Sequence, residues 1–197
     1  MILACISTIT FTIPTAQQDP ATFQCTKDSP VSPPVWSTGA PPVEMRHIFC
    51  GEIDYYSNPT GFHSASTQTN WQTCVVVKQC QVFPSTNGYC ASIYIYDSRI
   101  GSYEPKESSS TLWPTSRSPA QLVPMFQYLY SHCQPATYNA LLCFPDCHWQ
   151  GNANGFDIVI GTRGDAIVTA FPAQEGTCLN DNHHHWQDCY NQYCQGL

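Results

Sequence analysis

Twelve cysteines in a chain of 197 residues constrain this sequence more than any other feature. Cysteine at this density is typical of proteins that fold in an oxidising compartment, where thiols pair into disulfides. A chain of this length still buries about 70% of the surface that its unfolded form exposes. We therefore expect one domain with extensions, in which disulfides reinforce a hydrophobic core rather than replace it.

The N-terminal residues 1–13 (MILACISTITFTI) form an uncharged apolar run, followed by Pro14, Thr15 and Ala16. This pattern resembles a secretory signal peptide, although it lacks a basic residue, and a buried strand is the alternative. Cleavage after Ala16 would remove Cys5 and leave eleven cysteines, enough for at most five disulfides and one unpaired thiol. No apolar run reaches the roughly 18 residues of a membrane span. We therefore expect a secreted, extracellular protein with no membrane partner.

The charge balance excludes one class of function. Seven Lys and Arg residues face fourteen Asp and Glu residues, which gives a formal net charge of -7. The whole molecule therefore repels polyanions, and a general nucleic-acid coat protein is excluded. One locally positive cleft can still bind a phosphodiester, because the local potential governs a site.

Changes in composition divide the chain into four parts. A signal peptide over residues 1–16 precedes a Pro-rich arm over residues 17–43, which we predict to be irregular and tethered through Cys25. Residues 44–173 carry the hydrophobic patterns of the globular domain. Residues 174–197 form a polar, Cys-rich tail.

The hydrophobic patterns predict mostly antiparallel sheet. Two helices are expected, a short one within residues 43–53 that ends at Gly51 and another over residues 118–132. β-Branched and aromatic content predicts two hairpins, residues 71–83 with 89–96 and residues 156–160 with 166–170, with turns at 85–88 and 161–164. The predicted class is α+β, with antiparallel β-sheets flanked by short helices.

Two histidines lie in segments that look constrained, His47 before Gly51-Glu52 and His63 in the segment GFHS. Imidazole moves protons near neutral pH. A paired acid and base is what RNA transesterification requires, because one group deprotonates the ribose 2′-hydroxyl while the other protonates the departing 5′-oxygen. Taken alone, each histidine is more often a packed or surface residue.

Four short motifs in order strengthen that interpretation. They are the pattern HxxxGE from His47, GFHS at residues 61–64, STLWP at residues 110–114 and TAFP at residues 169–172. Together they resemble the bacterial-type EndoU nuclease family over residues 45–172. The resemblance implies an EndoU-like fold and an endoribonuclease that cleaves single-stranded RNA at uridylates, leaving a 2′,3′-cyclic phosphate.

The resemblance also assigns roles to residues. His47 and His63 become the acid/base pair, with His63 as the general base, and Lys106 is the first choice for the catalytic cation. Arg163, Lys78 and Arg46 are the other candidate cations. The expected substrate-binding residues are Thr169, Phe171, Arg163 and Ser64. A hydroxyl such as that of Thr169 can bond a base edge and a ring can face the base or sugar, as single-stranded RNA recognition favours.

The sequence departs from the family pattern at two positions. Phe171 stands where a Tyr is common, so a phenolic hydroxyl is lost. Ser108 and Ser109 occupy the place of the usual Lys, and Lys106 lies slightly upstream. Around these positions we expect Trp113 to anchor the core, and Glu52 to satisfy backbone donors at a helix end rather than orient His47.

The cofactor and partner expectations follow from the same resemblance. Two imidazoles can move the protons without a metal, so no cofactor is required, and manganese stimulation is left open. Single-stranded RNA is the expected substrate, and an inhibitor or immunity-type protein the expected partner if the protein is a toxin. A catalytically inactive interaction protein on the same scaffold is the alternative function. A metal-binding protein centred on residues 183–185 (HHH) is a third.

Overall fold

The computed structural model of the chain describes residues 17–82, 89–132, 141–144 and 157–173. The predicted signal peptide, the turn at residues 85–88, the Cys-rich tail and the histidines at 183–185 lie outside the described residues.

Both predicted helices are present. α1 spans Met45–Phe49 and α2 spans Pro119–His132. α1 is shorter than its hydrophobic pattern because Glu44 donates its backbone N–H to Ile167 and Glu52 already belongs to a strand. α2 begins as expected after Ser118, whose backbone N–H donates to the Gln121 side chain at 3.0 Å. In the described part of the chain, neither helix is long and apolar enough to cross a membrane.

Eleven short strands accompany these helices in the described residues. In chain order they are β1 (Gln17–Gln18), β2 (Trp36–Ser37), β3 (Glu52–Ile53), β4 (Pro59–Thr60), β5 (Val75–Val82), β6 (Tyr89–Asp97), β7 (Ser102–Pro105), β8 (Ser110–Leu112), β9 (Leu141–Phe144), β10 (Asp157–Arg163) and β11 (Ala166–Ala173).

The strands form four small sheets, which are antiparallel except for the parallel pair β1–β2. β6 pairs with β5 on one side and with β7 and β8 on the other. β10 lies between β9 and β11, and β3 pairs with β4. Both predicted hairpins are confirmed, although the second turns at residues 164–165 because Gly161, Thr162 and Arg163 still pair with β11. The α+β class is likewise confirmed.

The core is built around α1. Met45, Ile48 and Phe49 are completely buried, and they pack in one cluster with residues of both larger sheets and of α2. Trp113 is 1% exposed and donates its Nε1–H to the Ala170 carbonyl at 3.1 Å. Its predicted role as a core anchor is confirmed, and it connects β11 to the end of β8.

The arm is fastened to the core. Cys25 forms a disulfide with Cys50 directly after α1, which confirms the predicted tether. Phe23 packs against Phe49 with 5.9 Å between ring centroids. Cys90 is also disulfide-bonded, and Cys74 is a buried thiol whose pKa burial raises to about 12. The remaining predicted disulfides fall on cysteines whose side chains lie outside the described residues.

Candidate active site

The end of α1 brings the two histidines together. The last carbonyls of a helix lack intrahelical donors, and the segment after Gly61 supplies them. Phe62 donates its backbone N–H to the His47 carbonyl at 2.7 Å, and His63 donates to the Ile48 carbonyl at 2.7 Å. The His47 and His63 rings consequently lie 5.9 Å apart between centroids. That spacing allows both imidazoles to reach one phosphodiester group.

Gly61 makes this approach possible. Its φ is +70°, a left-handed conformation that side chains disfavour. A Cβ on Gly61 would lie 2.3 Å from the His47 carbonyl oxygen. The following residue, Phe62, also has a positive φ of 57° and is completely buried, so the core holds the strained backbone in place.

His63 is the more buried imidazole, with 7% of its surface exposed. Its Nδ1 lies 3.3 Å from the Thr111 carbonyl oxygen. Because a carbonyl only accepts, this contact places the proton on Nδ1 and the lone pair on Nε2. Burial, together with the charges of Lys106 and His47, lowers the pKa of His63 well below its usual value. His63 is therefore a neutral imidazole at pH 7, with the lone pair of Nε2 available to accept a proton.

His47 is paired with an acid instead. Its Nδ1 lies 3.1 Å from Oε1 of Glu52, at the start of β3. Burial disfavours the charged form of Glu52, but hydrogen bonds and charges from His47, Arg46 and Thr60 outweigh it and lower its pKa to about 2. An ionised carboxylate on Nδ1 orients an imidazole and stabilises the imidazolium. The Glu52 side chain thus holds His47, and our expectation that it would satisfy backbone donors is wrong.

Lys106 borders the same pair. Its Nζ donates to the Gly61 carbonyl at 3.0 Å and to Oγ of Ser110 at 2.7 Å. An ammonium has three N–H donors, and the described residues occupy two of them. Burial lowers the pKa of Lys106 to about 8. It remains mostly protonated at pH 7, with one donor left for a negatively charged oxygen.

Two of the predicted substrate-binding residues share β11, and one of them contacts His63. The Phe171 ring stacks on the His63 ring. Thr169 lies two residues earlier on β11 and therefore on the same face of the sheet. Its buried Oγ1 has no hydrogen-bond partner among the described residues. β11 thus carries one unsatisfied hydroxyl and one partly exposed ring on the face that meets His63.

The other two predicted substrate-binding residues are Ser64, which directly follows His63 in the chain, and Arg163. Ser64 is 0% exposed, and its Oγ, like the Oγ1 of Thr169, is buried without a hydrogen-bond partner among the described residues. Arg163 is exposed at the end of β10, beside the turn that leads to β11. No contact joins it to the histidine cluster in the region that the structure describes.

The comparison with family models matches the chain to the bacterial EndoU nuclease family over residues 43–174. The match covers more than half of the chain. This protein belongs to the bacterial EndoU nuclease family. A search of curated proteins and a search of solved structures each found no match.

Two of the other candidate cations have structural partners in the EndoU domain of this chain. Arg46 is buried and forms ion pairs with Glu44 and Glu52. The Lys78 ammonium lies over the Tyr94 ring, 4.4 Å from its centroid. Of the cations named from the sequence, Lys106 is therefore the one that the structure places against the histidine pair.

The EndoU site also contains contacts that sequence reasoning missed. The Thr111 carbonyl sets the tautomer of His63, and Arg46 and Thr60 both bond Glu52. Glu52 carried a sequence signal through its place in the HxxxGE motif, and Arg46 was expected only as a candidate cation. Among the described residues, no group of three or more His, Cys, Asp and Glu side chains is arranged to hold a metal ion.

Proposed function

We propose that this EndoU nuclease is a secreted endoribonuclease that cleaves single-stranded RNA at uridylates by acid–base transesterification. Family membership supports an endoribonuclease in general. The different environments of the two imidazoles support the proposed acid and base roles. His63 has a carbonyl on Nδ1 and a lowered pKa, whereas His47 has an ionised carboxylate on Nδ1.

In the proposed reaction, Nε2 of His63 takes the proton from the ribose 2′-hydroxyl and the 2′-oxygen attacks phosphorus. The bond from phosphorus to the 5′-oxygen then breaks, and Nε2 of His47 gives its proton to that oxygen. The products are a 2′,3′-cyclic phosphate and a 5′-hydroxyl. The free N–H of Lys106 donates to a non-bridging oxygen, where negative charge develops.

Uridine preference would come from Thr169 and Phe171. An unsatisfied buried hydroxyl is costly, and a base edge that bonds it removes that cost. The partly exposed ring of Phe171 offers a surface for the base or sugar.

The proposal assigns the proton transfers to the two imidazoles and therefore requires no metal. Manganese stimulation remains a separate question, answered by adding manganese or a chelator to the assay. The signal-like N-terminus supports secretion, and an inhibitor or immunity-type partner would accompany a toxin role.

Single substitutions test the mechanism. His47→Ala and His63→Ala should each lower kcat on a uridine-containing oligonucleotide by about 100-fold or more, with unchanged circular dichroism. The exposed-site variant Gln72→Ala is the matched control. Cleavage at the wild-type rate by either histidine variant would remove that residue from the mechanism. Binding without cyclic-phosphate products from the wild-type protein would favour the inactive interaction protein.

A further inference from the structure

Two adjacent tyrosines form the tip of the hairpin that joins β3 to β4. Tyr55 is 93% exposed and Tyr56 is 79% exposed, the highest values among the large hydrophobic residues described. Their rings meet edge to face, with 5.4 Å between centroids. The fold buries neither ring, so both can contact a ligand.

The turn that carries these rings is well fastened. Ser57 donates its backbone N–H to the Asp54 carbonyl at 3.1 Å, and Asn58 donates to Oδ1 of Asp54 at 2.8 Å. Ser57 has a φ of +67°, and a left-handed residue at this place closes a common three-residue hairpin loop. The tyrosines are therefore presented on an ordered loop, which reduces the entropy lost when a ligand binds.

The same hairpin carries the partner of His47. Glu52 opens β3, and Thr60, at the end of β4, donates its hydroxyl to Glu52 at 3.2 Å. A strand rises about 3.3 Å per residue, which places the backbone of Tyr55 roughly 10 Å beyond Glu52. Nucleotides that flank a scissile phosphate held by His47 can reach the hairpin tip.

We propose that Tyr55 and Tyr56 form a stacking platform for the bases that flank the cleaved uridylate. The platform rests on the proposed function and adds a subsite to it. Base stacking on aromatic rings does not depend on charge, and it suits a chain with a net charge of -7 that attracts phosphate weakly. Arg99 reaches Ser57 at 3.4 Å, but its guanidinium is paired with Asp97. The neighbouring cation is therefore largely neutralised.

The test compares three substrates in the double variant Tyr55→Ala/Tyr56→Ala. They are a uridine-containing dinucleotide, an oligonucleotide with three nucleotides on each side of the uridine, and the same oligonucleotide with abasic flanks. The double variant should lose about fivefold or more of the wild-type preference in kcat/KM for the long substrate. Its dinucleotide rate should stay unchanged. Tyr55→Phe/Tyr56→Phe should keep the preference, and Tyr128→Ala, an exposed tyrosine on α2, is the matched control.

Two results would overturn the platform. One is a double variant that keeps the whole wild-type preference for the long substrate over the dinucleotide. This result would overturn the platform even if sedimentation showed that the double variant had lost a self-association of the wild-type protein. The other is a wild-type preference that survives abasic flanks, which would assign it to phosphate contacts. If the wild-type protein cleaves none of these substrates, the proposed function fails separately. The platform is then tested by the Kd for the long oligonucleotide with 2′-deoxyuridine at the cleavage position. The platform predicts that the double variant binds this oligonucleotide about fivefold more weakly than the wild-type protein, and an equal Kd would overturn it.

Discussion

Phe171 stacks on His63, with 4.5 Å between ring centroids and 18° between ring planes. One face of the imidazole is thereby shielded from water. Phe171 therefore contributes to the burial that lowers the pKa of His63.

Removal of the Phe171 ring should move the acid limb of the pH profile. In Phe171→Ala the His63 ring is less desolvated, so its pKa rises toward the usual value and the base is protonated at higher pH. The acid limb of kcat/KM should therefore shift upward, whereas Phe171→Tyr should leave it in place. An unchanged limb in Phe171→Ala would show that the stacked ring does not control the base.

Glu52 should make the protein sensitive to acid. Its folded pKa of about 2 lies below the ordinary value of 4.5, so its stabilisation is complete above pH 4.5 and is lost as the pH falls toward 2. Linkage gives about 3 kcal/mol in total, of which about 2 kcal/mol is lost by pH 3. Urea unfolding at pH 7 and pH 3 measures this loss.

The Glu52→Gln variant should lack that pH-dependent component, and the exposed-site variant Glu107→Gln should retain it. Equal pH dependence in wild-type protein and Glu52→Gln would contradict the ion-pair network. Glu52→Gln should also lower kcat, because an amide does not stabilise the His47 imidazolium.

Lys106 should influence the alkaline side of the profile. Its pKa of about 8 means that the ammonium loses its proton above pH 8, whereas an arginine stays charged. The rate of Lys106→Arg relative to wild type should therefore rise by up to about tenfold between pH 7 and pH 9. Because both rates are measured at the same pH, groups that titrate equally in the two proteins do not affect this ratio.

Lys106→Met tests the size of the Lys106 contribution. Loss of one transition-state donor should lower kcat by about 100-fold at pH 7, and Lys78→Met should not lower it. A constant Lys106→Arg ratio together with an active Lys106→Met would exclude Lys106 from the chemistry.

Gly61→Ala should damage catalysis and stability together. The methyl group meets both a left-handed backbone and the His47 carbonyl, so we expect a loss of about 1–3 kcal/mol and a kcat reduced by more than tenfold. Gly164→Ala is the matched control because Gly164 has a φ of +58° with nothing within 4 Å of the added carbon. Gly164→Ala should lower the free energy of unfolding in urea through its backbone conformation alone, and it should keep full activity. Equal activity in the two variants would contradict the role of Gly61.

The elements that the sequence predicted are those with strong local patterns. α2 begins where Ser118 and Pro119 mark a helix start, and both hairpins follow their β-branched runs. The start of α1 was harder to place, because pairing of Glu44 with β11 overrides the local helical spacing.

The histidine pair could be chosen from motifs, but its geometry could not. The approach of His47 and His63 depends on the α1 carbonyls and on residues 62–64, a long-range contact with no periodic signature. The role of Glu52 was missed for a similar reason. Arg46 and His47 of α1 and Thr60 of β4 bond it, and the spacing of the HxxxGE motif alone does not show these bonds.

The contacts of Arg46 bear on where the folded domain begins. Its guanidinium donates to the carbonyls of Pro30 and Ser32 as well as to Glu52. The family match starts at residue 43, so a fragment trimmed to it would strip that buried cation of two acceptors and leave Cys50 without Cys25. The folded unit therefore begins earlier than the family match, because the Pro-rich arm holds Arg46 and Cys50 on either side of His47.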